Sequence, residues 1–223
     1  MHLTLGKTHL KALLGATLLT CAFGAAAFSE GTDYVVLEKP IPNAQKTLIK
    51  VFSYDCPFCY KYDKAVTGPV SDKVKDIVRF EPYHLDTKGV HGPQGSEILA
   101  VLLNKDRAAG VSIFDDASQF KKAKFAYYAA YHDKKERWKD GKDAAAFTQT
   151  GLDAAGLSQA DLEGGLKDPA VQKTLGEWKA SAYDVAKIQG VPAYVVNGKY
   201  LIMTKSIKSV DSMADLVKEL AAK

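Results

Sequence analysis

The chain has 223 residues, 47% of them hydrophobic, with 30 Lys and Arg against 26 Asp and Glu and a formal net charge of +4. That length suits one large domain, or one domain carrying an insertion. The charge is too weak to point to nucleic acid or to general attraction to a membrane surface.

The first 27 residues read as a cleaved export signal. Lys7 and Lys11 supply the positive region, residues 13–23 the apolar stretch, and Ala25-Ala26-Ala27 a small-residue cleavage site that places the mature start at Phe28. An uncleaved anchor is the alternative, but the apolar stretch is too short to span a bilayer. A lipoprotein would need a small residue just before Cys21, where the chain has Leu18-Leu19-Thr20. With the signal removed, Cys56 and Cys59 are the remaining cysteines of an exported chain, which enters an oxidising compartment.

Residues 34–37 (YVVL) predict a short strand, closed by Lys39-Pro40-Ile41-Pro42. Residues 48–54 (LIKVFSY) predict a buried strand and 60–66 a helix. A helix over 72–77 and a strand over 78–85 come next, with Pro82 marking an edge or a bulge. Helices are then predicted over 94–104, 117–138, 143–155, 159–166 and 169–189, separated by Gly92-Pro93, Gly110, Gly141, Gly156 and Asp168-Pro169. Strands return at 193–196 and 199–203 around the hairpin turn Asn197-Gly198. A helix over 211–222 closes the chain, with Met213, Leu216, Val217 and Leu220 at helical spacing.

Cys56-Pro57-Phe58-Cys59 lies between a predicted strand and a predicted helix. Cys56 is therefore placed at a helix N-terminus, where unpaired N–H groups and the helix dipole favour an anion. The thiolate is the attacking species, so this placement lowers the thiol pKa and raises reactivity. Pro57 suits the first helical position, where its missing N–H costs nothing. The pair as a mere structural staple is the competing explanation, but a ring closing over two residues constrains little chain entropy. On this view Cys56 is the exposed, acidic nucleophile and Cys59 its buried resolving partner. A thiol titrating ~3 units below pH 7 stabilises the reduced form by roughly 4 kcal/mol, or about 90 mV.

A βαβ unit, a run of helices and a final hairpin with helix is the order of a thioredoxin fold carrying an inserted α-helical domain. The chain resembles the DsbA family of bacterial periplasmic thiol oxidants. The matching residues are Glu38-Lys39-Pro40, the run from Val51 to Tyr60 (VFSYDCPFCY) and the run from Gly190 to Tyr200 (GVPAYVVNGKY). Its Cys-Pro-Phe-Cys centre is similar to that of the specialised DsbL branch, which is associated with an arylsulfate sulfotransferase substrate. The resemblance implies an α/β fold with residues 28–92 and 190–223 forming the thioredoxin domain and 93–189 the helical insertion. It also implies a redox-active Cys56–Cys59 disulfide with no other cofactor, exported proteins with free cysteines as substrates, a DsbB-type quinone-linked membrane protein as reoxidant, and a periplasmic monomer. Val191-Pro192 matches the family's loop facing the disulfide. Its proline is implied to be cis, letting the preceding backbone pair with an extended substrate, and it offers no N–H near the sulfurs.

Besides Pro57, three residues tune this expectation. Phe58 stands where a histidine would help hold the thiolate, and it serves either as an exposed apolar substrate contact or as packing. Asp55, next to the nucleophile, raises the Cys56 pKa if its carboxylate lies close. Lys50 occupies the position of the superfamily's usual buried acid, six residues before the first cysteine. It either points beneath the pair and supports the thiolate, or snorkels to a wet edge.

Lysines 121, 122, 124, 134, 135, 139 and 142, with Arg137, form a basic run. It is either a solvated face or a positive surface that selects an acidic partner. Tyr127, Tyr128, Tyr131, Phe120 and Phe125 are assigned to helix packing. His84, His91 and His132 are scattered over different elements without ligand spacing, so neither a metal nor an acid–base role is expected of them. Two other functions compete: a reductase or isomerase on the same fold, and a peptide holdase that uses the groove without redox chemistry.

Overall fold

The computed structural model describes residues 28–223 together with His2, so the signal assignment lies outside the described residues. A five-stranded mixed sheet organises the molecule in the order β1-β5-β4-β2-β3. The strands are β1 (Tyr34–Val36), β2 (Thr47–Phe52), β3 (Arg79–His84), β4 (Ala193–Val196) and β5 (Tyr200–Ile202). β2 and β3 run parallel, and the β2–β4, β4–β5 and β1–β5 pairs are antiparallel. Pro82 sits in β3, an edge strand, where its missing donor breaks no ladder. The turn between β4 and β5 has positive φ at both Asn197 (53°) and Gly198 (66°), the geometry that favours Asn-Gly.

β2 is buried along its whole length and feeds α1 (Pro57–Ala65). α2 (Thr67–Val74) comes next, several residues earlier than the predicted helix over 72–77. Gly68-Pro69 reads as a helix breaker, yet it falls in the first turn of α2, where proline is tolerated. Leu48, Tyr194, Val196 and Ile202 on one sheet face pack with Val70 and Val74 of α2 and with α8 (Val210–Ala221). The α8 stripe Met213, Leu216, Val217 and Leu220 is at most 2% exposed, as its spacing requires.

The opposite face, with Ile49, Val51, Val195 and Leu201, joins the core of the intervening helices. These are α3 (Gly92–Ala108), α4 (Gln119–Tyr128), α5 (Ala144–Ala155), α6 (Gln159–Gly165) and α7 (Pro169–Gln189). The predicted 117–138 helix is broken. α4 widens into a π turn at Ala129–Asp133, and Trp138–Gly141 comes after it as a single left-handed turn with φ between 47° and 82°. The aromatic residues of α4 are packing residues as expected: Phe120, Tyr127 and Tyr128 are fully buried.

Candidate active site

β2 delivers the chain into a tight turn in which the Cys56 N–H donates to the Ser53 carbonyl (3.2 Å), and α1 starts at Pro57. Cys56 is the N-cap of α1. Its Sγ accepts the Cys59 N–H at 3.0 Å, using one of the helix's orphan donors. The two sulfurs are joined as a disulfide. In that state Cys56 is only 2% exposed, not the open thiol expected from its position, and Cys59 is fully buried. The sulfur faces the Val191 carbonyl, 3.2 Å away, across a cis Val191–Pro192 bond, with Pro192 buried. Phe58 is 60% exposed beside them, with the Lys61 ammonium 5.4 Å from its ring centroid.

Beneath α1 lies the feature that spacing could not reveal. Lys50 points inward and is 1% exposed, so it does not snorkel. Its Nζ is 2.6 Å from Asp63 of α1 and donates to Thr67 (3.1 Å) and to the Cys59 carbonyl (3.5 Å). Lys124 reaches the other Asp63 oxygen at 3.2 Å, and the Tyr128 hydroxyl donates to that oxygen at 2.9 Å. Lys124 is thus 8% exposed and leaves the basic run, which is not one continuous face. Lys121 and Lys139 are likewise tied, to Asp116 and Asp143.

Two cations share one carboxylate, so the cluster carries a surplus positive charge in a dry site. Burial, then repulsion from Lys124, brings Lys50 down to about 8, despite the attraction of Asp63. Burial alone would raise Asp63, but the two ammoniums outweigh it and hold the carboxyl at about 2. Sequence spacing does not single out Asp63 and places Lys124 in the basic run, because their ion-pair partners lie on other elements. The only sequence signal was Lys50, a charge inside an otherwise apolar strand.

Asp55 is anchored by the Ser53 hydroxyl (2.9 Å) and lies 3.4 Å from the Lys88 ammonium, so its charge beside Cys56 is partly compensated. His132 is near the disulfide loop as well: its Nε2 contacts the Tyr54 carbonyl at 3.0 Å. His84 is buried against Ser96, and burial lowers it to about 3. Among the described residues no group of three or more His, Cys, Asp or Glu could hold a metal ion. Two hollows of about 610 and 580 Å³ among the described residues are not lined by Cys56, Cys59 or Pro192.

A family model for the DSBA-like thioredoxin domain matches residues 47–221. The chain belongs to the DsbA family. Its sequence is 74% identical over 223 residues to the thiol:disulfide interchange protein DsbL of Escherichia coli O6:H1, covering 98% of this chain and 100% of that one. It is 27% identical to DsbA of Dickeya dadantii over 93% of this chain and 92% of the relative. The crystal structure of DsbL from Salmonella enterica serovar Typhimurium superposes with a TM-score of 0.87 at 78% identity, covering 89% of this chain and all (100%) of that one. The fold is the thioredoxin-like DsbA fold, and the chain is a thiol:disulfide oxidoreductase with Cys56 and Cys59 as its disulfide-capable pair. No described helix is long and apolar enough to cross a membrane.

Proposed function

We propose that this protein is a periplasmic oxidant that donates its Cys56–Cys59 disulfide to exported proteins, and that it serves few, acidic clients, with an arylsulfate sulfotransferase as the kind of substrate its branch suggests. The observation that carries the reading is the environment of Cys56. Its sulfur accepts an N–H at the helix start, above a buried cluster of two lysines and one aspartate. Both features stabilise a thiolate at Cys56, hence the reduced enzyme, and so make the disulfide a strong oxidant.

The chemistry runs in two exchanges. A substrate thiolate attacks Cys56 Sγ, a mixed disulfide forms, and the Cys56–Cys59 bond breaks with Cys59 leaving as thiolate. A second substrate thiolate then attacks the substrate sulfur of that mixed disulfide and expels the Cys56 thiolate. The client loses two electrons and the cysteine pair gains them. Val191 and Pro192 take the backbone of an extended client opposite the sulfurs, and Phe58 offers it an apolar contact. Pro57 holds the first helical position and contributes no competing N–H. The reduced pair returns its electrons to a DsbB-type quinone-linked membrane protein, so the disulfide itself is the only cofactor, and the enzyme acts as a monomer.

Acidic selectivity rests on solvated cations around the centre: Lys61 over Phe58, Lys64 over the Tyr60 ring (3.7 Å), and Lys88 beside Asp55. Equilibration with glutathione tests the direction of transfer: a strong oxidant stays largely reduced where an ordinary structural disulfide stays closed. Trapping mixed disulfides with Cys59→Ala in cells tests the client range. One dominant acidic client supports specialisation, whereas many clients would replace it with general oxidation.

A further inference from the structure

The π turn at Ala129–Asp133 brings two consecutive side chains to the two flanks of the Cys-Pro-Phe-Cys motif. His132 Nε2 contacts the Tyr54 carbonyl (3.0 Å), two residues before Cys56, and Asp133 accepts the Tyr60 hydroxyl (2.8 Å), one residue after Cys59. The widened turn is closed by the Lys134 N–H on the Ala129 carbonyl at 3.0 Å. One inserted residue rotates the downstream side chains by about 100° relative to a continuous α-helix, and π turns recur at functional sites. The His132 ring also stacks on Tyr60, with centroids 5.8 Å apart and planes 22° from parallel. A carbonyl only accepts, so Nε2 carries the proton and donates it. Burial holds the ring below its usual range, and the N–H is present in both its neutral and charged forms.

We propose that His132 is a positioning residue for disulfide exchange: by donating Nε2–H to the Tyr54 carbonyl it holds the 53–56 turn so that Cys56 Sγ stays on the Cys59 N–H. This rests on Cys56 being the reacting sulfur. The reason is geometric. The cap bond at 3.0 Å exists only while Cys56 keeps its extended φ and ψ (−91° and 110°); His132 ties the Tyr54–Asp55 peptide, one before the peptide that enters Cys56, inside the turn closed by the Cys56 N–H on the Ser53 carbonyl (3.2 Å). Freed of that donor, the Tyr54 peptide can rotate, and the thiolate loses part of its cap. His132 itself touches neither sulfur through a hydrogen bond. The α4 end thereby controls the thiol pair from a separate part of the chain.

Two variants separate the donor from the ring. His132→Phe keeps the stack on Tyr60 and removes the N–H; His132→Gln keeps an N–H at similar reach and removes the ring. In each, the Cys56 pKa is read from thiolate absorbance and the exchange constant from equilibration with glutathione. The Phe variant is expected to raise the Cys56 pKa and to favour the protein disulfide about fivefold, the scale of one hydrogen bond, while Gln stays near wild type. An unchanged Phe variant, or a Gln variant shifted as far as Phe, overturns the proposal. The wild-type constant separately tests the oxidant reading. A wild type with an ordinary structural disulfide defeats that reading, and the difference between Phe and wild type is still measurable.

Discussion

The two sides of α1 hold similar residues in opposite surroundings. On the inner side, the side chains of Lys50, Lys124 and Asp63 are at most 10% exposed, at ion-pair distance and hydrogen-bonded to Thr67 and Tyr128. On the outer side, Lys61 and Lys64 lie over Phe58 and Tyr60 at the protein surface. Charges in a dry site interact strongly and act on whatever anion forms above them. The same charges in water are screened within about 8–10 Å and contribute little to stability. In the proposed function the inner side therefore acts on the thiolate, and the outer side on which partner arrives and how fast.

Removal of the shared carboxylate should have the largest effect. Asp63→Asn leaves two buried cations without a counter-charge and is expected to cost about 3–5 kcal/mol, measured by denaturant unfolding. A loss below about 1 kcal/mol, the value of an exposed pair, would mean that the inner side is wet. Lys50→Glu, read in the reduced protein, should raise the Cys56 pKa by about one unit or more and weaken the oxidant accordingly. An unchanged Cys56 pKa would remove Lys50 from the mechanism.

The same lysine makes stability depend on alkaline pH. Lys50 titrates near 8 in the folded protein against an ordinary 10.5, so between those values the unfolded chain binds the extra proton. Stability should therefore rise across that window, by at most ~1.4 kcal/mol per pH unit for one group, and this slope should vanish in Lys50→Met. The smallest effect belongs to the outer side. Lys61→Ser with Lys64→Ser is expected to slow oxidation of an acidic client several-fold at low salt and to leave oxidation of a small neutral dithiol and the melting temperature unchanged. Equal slowing of both substrates would show that these lysines act on the disulfide rather than on the partner.

Much of this molecule arises from local chemistry. An apolar strand followed by Cys-Pro-x-Cys at a helix start, an Asn-Gly hairpin and an α8 stripe at helical spacing are short-range patterns, and each forms where its residues prescribe. The exposure of Phe58 and the edge position of Pro82 arise in the same way. Local pattern failed in two kinds of place. α2 begins earlier than predicted because a proline in a first helical turn looks identical, in sequence, to a proline that stops a helix. The 117–138 stretch predicts a single helix, yet its lysines and aromatics divide among α4, the π turn and the left-handed turn.

The amino-acid order alone thus determined the reactive pair, its place at the head of a helix and the α/β frame, because each depends on neighbours a few residues apart. Only the folded chain decided that Lys50 shares Asp63 with Lys124, that the Val191 carbonyl comes to 3.2 Å from Cys56 Sγ, and that His132 reaches the Tyr54 carbonyl. Electrostatic and hydrogen-bond partners are chosen by distance in space. These lie 13, 61, 135 and 78 residues apart along the chain, separations over which no periodicity carries information.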